Sequence, residues 1–366
     1  MAPDANYPGM DKNELDTPAL LVDLDVMEAN IARMDSFLRA RGVRVRPHYK
    51  THKTPAVALK QIEAGAIGIT CAKVEEAETL VNAGIKDILI ANEVVGARKI
   101  ARLAGLARHA DLMVAVDDAR NVADLSAGVT AAGAKLRVLV DVNVGMNRCG
   151  VEPGEAAVAL AHRVAQMPGL VFAGLMGYEG FCQRIKDPAE REATTRAAME
   201  KLIRTKEQIE ATGLKVGIVS GGGTGTYAIT STVSGMTEIQ VGSYVLMDVD
   251  YRDLGIDFGC ALTLLATIIS RPAPDRAIAD AGLKAMTNDH GMPELIGVPG
   301  GRLARLSEEH ARIDLTDPSV RLAPGDRVEF IPSHVCTTVN LHDTLYGIRG
   351  GRLEVAMPIA GRGKFR

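Results

Sequence analysis

The chain has 366 residues, of which 47% are hydrophobic and 24% charged, the balance expected of a globular protein with a substantial core. Its formal net charge of −3 and its lack of tryptophan argue against nucleic-acid binding, and no apolar run is long enough to cross a bilayer. Five cysteines without a CxxC pair indicate reduced thiols in the cytoplasm, and the acidic N-terminal segment lacks the apolar region of a signal peptide.

Short runs of β-forming apolar residues recur along the first two-thirds of the chain. They have the continuous apolar character of strands that are buried on both faces, as in a parallel sheet. The eight runs are residues 43–48, 66–72, 87–92, 112–117, 136–143, 171–178, 216–222 and 237–244. Between them lie helical patterns such as 54–65 and 73–84, each ending in a glycine suited to cap a helix. Eight strand–helix units predict an α/β fold with a (β/α)8 TIM barrel, and this number favours a closed barrel over a doubly wound open sheet.

After about residue 252 the pattern changes to β-like runs separated by glycine and proline turns. The segment "IRGGRLE" (348–354) predicts a β-hairpin with Gly350-Gly351 at its turn. We therefore predict a barrel domain over 24–252 and an all-β domain made of 1–23 and 253–366. The early run "ALLVD" (19–23) is predicted to add a strand to the all-β domain.

The first barrel run leads into "RPHYKTHKTP" (46–55), which is rich in basic residues. Catalytic side chains of a (β/α)8 barrel lie at the carboxyl ends of its strands. A lysine there, opposite a phosphate site, is what a pyridoxal-phosphate Schiff base requires, and neighbouring cations favour its neutral, nucleophilic form. Lys50 is the predicted residue, because the rival Lys53 lies beyond the strand end. A solvated basic loop is the alternative interpretation.

Two glycine-containing segments follow the last barrel runs: "SGGGTGTY" (220–227) after the seventh and "GSY" (242–244) after the eighth. The loops after strands seven and eight are the usual phosphate site of a TIM barrel, and glycines let backbone N–H groups approach a phosphate closely. The first segment matches neither the Walker A nor the dinucleotide-binding pattern. Its position predicts a phosphate-binding loop, with a flexible turn as the alternative.

The segment "PSHVCTTVNLHD" (332–343) combines a histidine and a cysteine two residues apart. On a strand, His334 and Cys336 would project from the same face. Imidazole and thiolate suit Zn²⁺, although an isolated H-x-C is a weak motif. His342 and Asp343 are either partners of these ligands or ordinary polar groups of a hairpin.

Segments along the whole chain resemble the D-threonine aldolase and eukaryotic-type D-serine dehydratase family of fold-type III pyridoxal-phosphate enzymes. They are "DTPALLVDLD", "RPHYKTHKTP", "CAKVEEAE", "NEVVG", "RCGV", "GGGTGTY", "GSYVLMDVDY", "DAGLK" and "PSHVCTTVNLHD". The resemblance extends from about Asp16 to the C-terminus. It implies a barrel of alanine-racemase type, a C-terminal all-β domain and a homodimer whose active sites lie between the barrel of one subunit and the β domain of the other.

The resemblance also implies the site residues. Lys50 is carried over as the Schiff-base lysine, with Arg148 and Tyr178 beside the cofactor ring and Gln240 near the pyridine nitrogen. The implied phosphate residues are Gly223, Thr224, Gly242, Ser243 and Tyr244. His334 and Cys336 match a divalent-metal pair, for Zn²⁺, Mn²⁺ or Mg²⁺, and His334 is also a catalytic candidate.

Two departures from the family concern the reaction. Some aldolases have Asp at the position of Cys336, where the dehydratases have Cys, and Gln183-Arg184 stands where some aldolases have Gln-His. In contrast, "NEVVG", "GSYVLMD" and "NLHD" are more similar to bacterial aldolases. The resemblance therefore implies a metal-dependent lyase that cleaves D-threonine and other β-hydroxy-D-amino acids to glycine and an aldehyde. The alternatives are a dehydratase of D-serine or 3-hydroxy-D-aspartate and a non-catalytic pyridoxal-phosphate carrier.

Overall fold

The computed structural model describes residues 8–317 and 319–366, and within them the chain forms two compact units. The barrel unit contains Ala32–Lys50, Val57–Gly242 and Lys364–Arg366. The β unit contains the described residues up to Ile31 together with Thr51–Ala56 and Ser243–Gly363. Residues 1–7 of the predicted all-β domain lie outside the described part of the chain. The domain limits expected near residues 24 and 252 stay a prediction.

After a short 3₁₀ turn (Lys12–Glu14), the chain forms strand β1 (Ala19–Asp23) and helix α1 (Leu24–Arg39). The strands of the barrel unit follow as β2 (Arg44–Val45), β3 (Ile69–Cys71), β4 (Asp87–Glu93), β5 (Asp111–Val116), β6 (Leu136–Asp141), β7 (Leu170–Gly177), β8 (Ile218–Gly221) and β9 (Glu238–Ile239). They are parallel, in the order β2-β9-β8-β7-β6-β5-β4-β3. A parallel bridge between His48 and Thr70 joins the end of β2 to β3 and so closes the ring. The predicted (β/α)8 barrel is confirmed, and the open-sheet alternative is wrong.

Helices alternate with these strands as α2 (Pro55–Glu63), α3 (Val74–Asn82), α4 (Ala97–Leu106), α5 (Ala119–Ala131), α6 (Glu155–Gln166), α7 (Pro188–Ala211) and α8 (Tyr227–Thr230). Asp118 begins α5 by accepting hydrogen bonds from two backbone N–H groups of its first turn. At the start of α7, Asp187 plays the same part before Pro188, which suits the first helical position. In residues 8–317 and 319–366, no helix has both the length and the hydropathy of a membrane span.

Apolar side chains from four consecutive strands, β4 to β7, pack into one buried cluster of the barrel unit. Its members are Leu89, Met113, Ala115, Leu139 and Met176. A barrel filled in this way is a packed core and not a channel, so a binding site has to be built on the loops at its ends.

The β unit is built on a mixed sheet of nine strands. The elements that follow the barrel are α9 (Val249–Arg252), β10 (Leu262–Ala273), β11 (Arg276–Ala279), β12 (Glu294–Ile296), β13 (Gly301–Leu306), β14 (Ala311–Leu315), β15 (Arg327–Ile331), α10 (Val335–Val339), β16 (Thr344–Arg349) and β17 (Arg352–Pro358). The main order is β13-β14-β11-β10-β1-β16-β17, with β15 paired to β10 and β12 to β15. The predicted early strand at 19–23 is confirmed, since β1 pairs antiparallel with β10 and parallel with β16.

The hairpin predicted at 348–354 is also confirmed. Arg349 of β16 pairs with Arg352 of β17 across Gly350 and Gly351. The φ angles of these two glycines are 55° and 78°, both in the left-handed region. A two-residue turn of type I′ needs positive φ at both positions, which glycine adopts without steric cost.

Candidate active site

Lys50 lies in a 3₁₀ turn, Tyr49–Thr51, that follows the end of β2. The backbone before it is held in the sheet, because the N–H of His48 donates to the Val241 carbonyl at 2.8 Å. The side chain of Lys50 is half-buried, and its Nζ lies 5.8 Å from the centroid of the Tyr178 ring. The predicted Schiff-base lysine is therefore at the carboxyl end of a barrel strand, beside an aromatic ring.

Tyr178 is the first residue after β7 and lies near two cationic side chains. In addition to Lys50, Arg148 has its guanidinium carbon 5.6 Å from the Tyr178 ring centroid. Both distances lie within the range of a cation–π interaction. The structure thus brings together three residues that the sequence assigned to the cofactor, and their binding role stays a prediction.

Lys53, the rival lysine, has a different environment. It belongs to the β unit, it is buried, and its φ of 50° lies in the left-handed region. Its Nζ donates a hydrogen bond to the Gly361 carbonyl at 3.3 Å. An ammonium that is buried on a backbone carbonyl has a structural role, so Lys50 is the better candidate for the Schiff base.

The loop after β8 approaches neighbouring groups too closely for side chains at its glycines. A Cβ on Gly223 would lie 2.6 Å from Gln183 Oε1, and a Cβ on Gly225 would lie 2.3 Å from the Gln183 carbonyl oxygen. Gly222 has a φ of 75°, which other residues rarely adopt. Thr224, in the middle of the loop, is buried. These contacts describe a fixed loop and argue against a flexible turn.

Glu179 and Gln183, which were not among the predicted site residues, hold this loop. The N–H of Gly222 donates to Glu179 Oε2 at 3.1 Å, and the N–H of Gly225 donates to Gln183 Oε1 at 2.8 Å. Burial raises the pKa of Glu179, while the hydrogen bonds that it accepts oppose this shift. The sequence carried one signal for them: in "GYEGFCQ" (177–183) a glutamate and a glutamine directly follow an apolar strand.

A chain of hydrogen bonds orients Gln240, the residue implied near the cofactor nitrogen. Gln240 Nε2 donates to Ser220 Oγ at 2.8 Å, and Ser220 Oγ donates to Glu238 Oε1 at 2.8 Å. Glu238 also accepts from the buried guanidinium of Arg46 at 3.0 Å, so it acts only as an acceptor. Because the single hydroxyl proton of Ser220 is given to Glu238, Ser220 can only accept from Gln240. The amide nitrogen of Gln240 is thereby directed to Ser220, and its carbonyl oxygen is left for another donor.

The residues after β9 divide between the two units. Gly242 ends the barrel unit, whereas the buried Ser243 and Tyr244 belong to the β unit. Within the barrel unit, the N–H of Gln240 donates to the Gly221 carbonyl at 2.9 Å. The two loops predicted to bind phosphate therefore begin side by side, and phosphate binding itself stays a prediction.

Ionisable side chains gather at the ends of β4, β5 and β6, in what we call the barrel acid cluster: Glu93, Asp117, Asp141 and Cys149. The ligand atoms of Glu93, Asp117 and Cys149 lie within 4.8 Å of one another. Burial, followed by the charges of Glu93 and Asp117, raises the pKa of Asp141 to about 8. Burial and then Glu93 raise the pKa of Cys149 to about 11. This cluster, which was not predicted as a site, retains protons at neutral pH.

The predicted metal pair lies in the β unit, where His334 caps the start of α10 and Cys336 belongs to that helix. The prediction that both lie on a strand is wrong, because β15 ends at Ile331 and the chain turns into this short helix. Two further residues, Asp289 and His290, complete what we call the His334 cluster. The ligand atoms of Asp289, His290 and His334 lie within 4.8 Å of one another. Cys336 forms a hydrogen bond with the His334 ring.

Carboxylates orient the two imidazoles of the His334 cluster. Asp289 Oδ2 lies 2.7 Å from Nδ1 of His334, which leaves Nε2 of His334 as its metal-binding atom. Asp250 Oδ2 lies 3.3 Å from Nδ1 of His290, and the two rings stack with centroids 3.9 Å apart. Burial lowers the pKa of His334, but Cys336 and Asp289 outweigh burial and raise it to about 9. Burial raises the pKa of Asp289, but hydrogen bonds led by that of His334 bring it down to about 2.

Asp248 fixes the backbone at the start of α10. It is fully buried and accepts from the N–H groups of Tyr251, at 3.0 Å, and Val335, at 3.1 Å. Burial raises the pKa of Asp248 to about 6, against the effect of these two donors. Next along the helix, Cys336 Sγ lies 3.5 Å from Thr51 Oγ1. The position of the metal pair is thus set by a buried carboxylate that the sequence did not single out.

His342 and Asp343 have partners outside this cluster. His342 Nε2 bonds the Ala285 carbonyl at 2.7 Å, and Asp343 pairs with Arg362 at 3.1 Å. Of the two interpretations that the sequence allowed, these contacts favour ordinary polar groups.

Comparison with known proteins places the chain in a family. Residues 22–250 match the family model of the alanine racemase N-terminal domain, and residues 261–348 match a serine dehydratase domain model. The chain is 40% identical to the D-threonine aldolase of Arthrobacter sp. over 365 residues, which cover 99% of this chain and 96% of that protein.

Solved structures agree with this assignment. The crystal structure of D-threonine aldolase from Filomicrobium marinum matches with a TM-score of 0.96 and 41% identity, over 99% of this chain and 100% of that one. D-threo-3-hydroxyaspartate dehydratase from Delftia sp. HT23 matches with a TM-score of 0.86 and 29% identity, over 95% of this chain and 98% of that one. Other matching structures of D-threo-3-hydroxyaspartate dehydratase are a histidine-to-alanine mutant and, two positions further on, a cysteine-to-alanine mutant in the metal-free form.

The predicted family and fold are thereby confirmed, including the alanine-racemase type of the barrel. The alanine-racemase-like fold implies pyridoxal phosphate as the cofactor. The chain belongs to the alanine-racemase-like family and, within it, to the D-threonine aldolase group of carbon–carbon lyases.

Proposed function

We propose that the protein is a pyridoxal-phosphate- and metal-dependent lyase that cleaves D-threonine and other β-hydroxy-D-amino acids to glycine and an aldehyde. The observation that carries this proposal is the position of Lys50, at the end of the first strand of a closed barrel and near Tyr178. The likeness to D-threonine aldolase over nearly the whole chain supports the same reaction.

The barrel unit fits pyridoxal phosphate. It offers a half-buried lysine beside an aromatic ring and a loop in which a Cβ added at Gly223 or Gly225 would collide with Gln183. We assign covalent attachment to Lys50 and contacts with the cofactor to Arg148, Tyr178, Gly223, Thr224, Gln240, Gly242, Ser243 and Tyr244. When bound, the cofactor supplies an electron sink for the pair left on the substrate Cα.

The His334 cluster fits a catalytic divalent metal. We assign the ligand atoms to Nε2 of His334 and Sγ of Cys336, with Asp289 orienting the first ring. So small a protein ligand set leaves positions open for water and a substrate hydroxyl, as in catalytic metal sites. A thiolate favours Zn²⁺, while few ligands permit exchange with Mn²⁺ or Mg²⁺. The metal-free cysteine mutant of D-threo-3-hydroxyaspartate dehydratase supports the assignment of Cys336.

Residues of this chain move two protons in the proposed cleavage. A basic group of the His334 cluster takes the β-hydroxyl proton, and the hydroxyl carbon becomes an aldehyde as the Cα–Cβ bond breaks. The electron pair of that bond remains on Cα. Lys50 Nζ then gives a proton to Cα, which completes glycine. The reaction consumes no water and no oxidant, so D-threonine gives glycine and acetaldehyde alone.

A dehydratase is the second candidate function. His334 and Cys336 have the same spacing as the histidine and cysteine that were changed in D-threo-3-hydroxyaspartate dehydratase. In this reaction Lys50 would remove the Cα proton and the β-hydroxyl would leave as water. D-threonine would then give 2-oxobutanoate and ammonia. A non-catalytic carrier is disfavoured, because it would not need the β unit and its His334 cluster.

Product analysis with D-threonine tests the proposal. The protein, supplied with pyridoxal phosphate and Zn²⁺ or Mn²⁺, should release glycine and acetaldehyde in equal amounts, and L-threonine serves as the control. Release of 2-oxobutanoate and ammonia would assign the chain to the dehydratases. Bound cofactor without turnover would contradict both lyase functions.

Peptide mapping tests the role of Lys50 separately. Borohydride reduction of the protein with its cofactor should leave the pyridoxyl group on Lys50, and Lys50→Ala should prevent labelling and abolish turnover. A label on Lys53 or Lys73 in the unmodified sequence would show that the wrong lysine has been assigned.

A homodimer and a cytoplasmic location complete the proposal. The family resemblance implies the dimer, and all five cysteines are free thiols, as is usual in a reducing compartment. Analytical ultracentrifugation at assay concentration should show two chains per particle. A monomer with full activity would contradict the proposed assembly.

A further inference from the structure

Glu179 is a fully buried carboxylate that follows Tyr178 at the end of β7. Its Oε1 accepts hydrogen bonds from the hydroxyl of Thr226 at 2.6 Å and from the hydroxyl of Thr230 at 3.0 Å. Its Oε2 accepts from the N–H of Gly222 at 3.1 Å. All these donors belong to the loop after β8 or to the short helix that continues it. One side chain just after β7 therefore holds both the start of the neighbouring loop, at Gly222, and its end, at Thr226.

Thr226 extends this contact to the rest of the loop. Its hydroxyl has one proton, which is given to Glu179, so it can only accept from its other partners. It accepts from Gln183 Nε2 at 2.8 Å and from the N–H of Gly223 at 3.2 Å. Gln183 in turn accepts from the N–H of Gly225 at 2.8 Å. The backbone on both sides of Thr224 is thereby held in one conformation.

Burying a carboxylate is costly even when it is hydrogen-bonded, because the charged form loses its hydration. Consistent with this cost, burial raises the pKa of Glu179. If the loop served only to connect β8 to α8, neutral side chains could fix its conformation without the cost of a buried charge. Glu179 binds the loop in which a Cβ at Gly223 or Gly225 would collide with Gln183. The backbone of this loop therefore packs tightly against Gln183.

We propose that Glu179, acting with Gln183 through Thr226, is the positioning residue that holds the 222–226 loop in the conformation that binds the phosphate of the cofactor. This inference rests on the proposed function. It assigns Glu179 no contact with substrate or cofactor, and it predicts that Glu179 acts on phosphate recognition alone.

The test compares two ligands of the cofactor-free protein: pyridoxal phosphate and pyridoxal, which lacks the phosphate. Glu179→Gln keeps the shape of the side chain but replaces one of its two acceptor oxygens with an NH₂ group, which then faces at least one of the three donors. The substitution should lower the affinity for pyridoxal phosphate by about tenfold, which is equivalent to one hydrogen bond to a charged group. It should lower the affinity for pyridoxal by less than about twofold. Equilibrium titration followed by the visible absorbance of the bound cofactor measures both.

Glu76→Gln is the matched control. Glu76 is also a buried glutamate of the barrel unit, and it accepts from the N–H of Ala72 at 2.8 Å in the loop after β3. Loss of stability alone should appear in both variants and should affect the two ligands equally. Only Glu179→Gln should discriminate between them. Thr230→Val, which removes one donor to Glu179, carries the test if Glu179→Gln does not fold, with a smaller loss in the same direction.

The outcomes separate this inference from the proposed function. If the unchanged protein binds pyridoxal phosphate and Glu179→Gln weakens both ligands equally, or neither, the positioning role is overturned. If the unchanged protein binds neither ligand at Lys50, the proposed function itself fails.

Discussion

The barrel acid cluster and the His334 cluster both combine carboxylates with one thiol, yet they hold charge differently. In the first, burial and mutual repulsion raise the pKa of Asp141 to about 8 and that of Cys149 to about 11, so carboxyl and thiol groups retain protons. In the second, Asp289 has a pKa of about 2, and the proton resides on His334, whose pKa is about 9.

The difference shows that negative potential by itself does not make a metal site. Both clusters attract a proton, but in the barrel acid cluster the proton resides on the buried Asp141, beside Glu93 and Asp117. The His334 cluster holds its proton on an imidazole that forms hydrogen bonds with both Asp289 and Cys336. A metal can replace that proton and gain a nitrogen and a sulfur donor, which Zn²⁺ prefers. We therefore expect metal binding in the His334 cluster alone.

Removal of the imidazole should have the largest effect. His334→Ala should abolish Zn²⁺ binding to the chelator-treated protein, because the site loses its nitrogen ligand and the partner of Asp289. Cys149→Ser, the corresponding change in the barrel acid cluster, should leave Zn²⁺ affinity unchanged. Calorimetric titration with Zn²⁺ measures both. If Zn²⁺ binding survives in His334→Ala but is lost in Cys149→Ser, the metal site is the barrel acid cluster and not the His334 cluster.

Changes at Cys336 should separate the metal from the cofactor. Cys336→Ala should lower the affinity for Zn²⁺ by roughly a hundredfold and should lower lyase turnover. The visible absorbance of the bound cofactor should stay unchanged. Cys336→Asp supplies a harder ligand and should keep a metal site and the cleavage of D-threonine. Treatment with a chelator should reproduce the loss seen in Cys336→Ala, and added metal should restore turnover. Unchanged turnover after chelation would reject the metal and leave His334 as an acid–base residue.

Loss of the orienting carboxylate should have a smaller effect. Asp289→Asn removes the charge at Nδ1 of His334 but keeps both ligand atoms, so metal affinity should fall by about 10- to 100-fold. Asp343→Asn, whose carboxylate pairs with Arg362, is the control and should bind metal normally. Equal affinity in Asp289→Asn and the unchanged protein would show that the orientation of His334 needs no carboxylate.

The last comparison concerns stability in the barrel acid cluster. The folded protein holds a proton on Asp141 up to about pH 8, whereas the ordinary pKa is 3.8, so the free energy of unfolding falls as the pH rises between these values. Asp141→Asn should remove this slope, which is at most about 1.4 kcal/mol per pH unit, and should be more stable than the unchanged protein near pH 8. Urea unfolding at several pH values measures the difference. Glu155→Gln, a change at an exposed carboxylate, is the control and should keep the original slope. An unchanged slope in Asp141→Asn would show that the carboxyl of Asp141 is ionised in the folded protein.

Much of the barrel could be predicted because each strand carries its own local signal. Continuous apolar runs of strand length recur between helical segments, and this pattern places Lys50 at a strand end without any knowledge of the packing. The hairpin at Gly350-Gly351 was equally local, since two adjacent glycines specify a type I′ turn. Chemistry at the ends of the strands then follows from the architecture.

The metal cluster could be predicted only in part. His334 and Cys336 are neighbours in the chain and attract notice together, but Asp289 and His290 lie on a distant segment. The helix at 335–339 was missed, because two of its five residues are β-branched threonines and two are valines, which favour a strand. Its start is determined by a hydrogen bond from Val335 to the buried Asp248, and such tertiary contacts override weak local preferences.

Local patterns in the sequence were enough to predict the barrel, the early strand that joins the second sheet, the lysine at the strand end and the glycine-rich loop, since each depends on periodicity or on backbone freedom within a few residues. Which groups retain protons and which are oriented depends on the packing of the folded chain. Asp141 retains a proton because it is buried and because Glu93 and Asp117 are beside it, and Glu179 holds the 222–226 loop because β7 and β8 are adjacent. These properties depend on distances between residues that are far apart in the chain, and a pKa or a hydrogen bond is set by those distances.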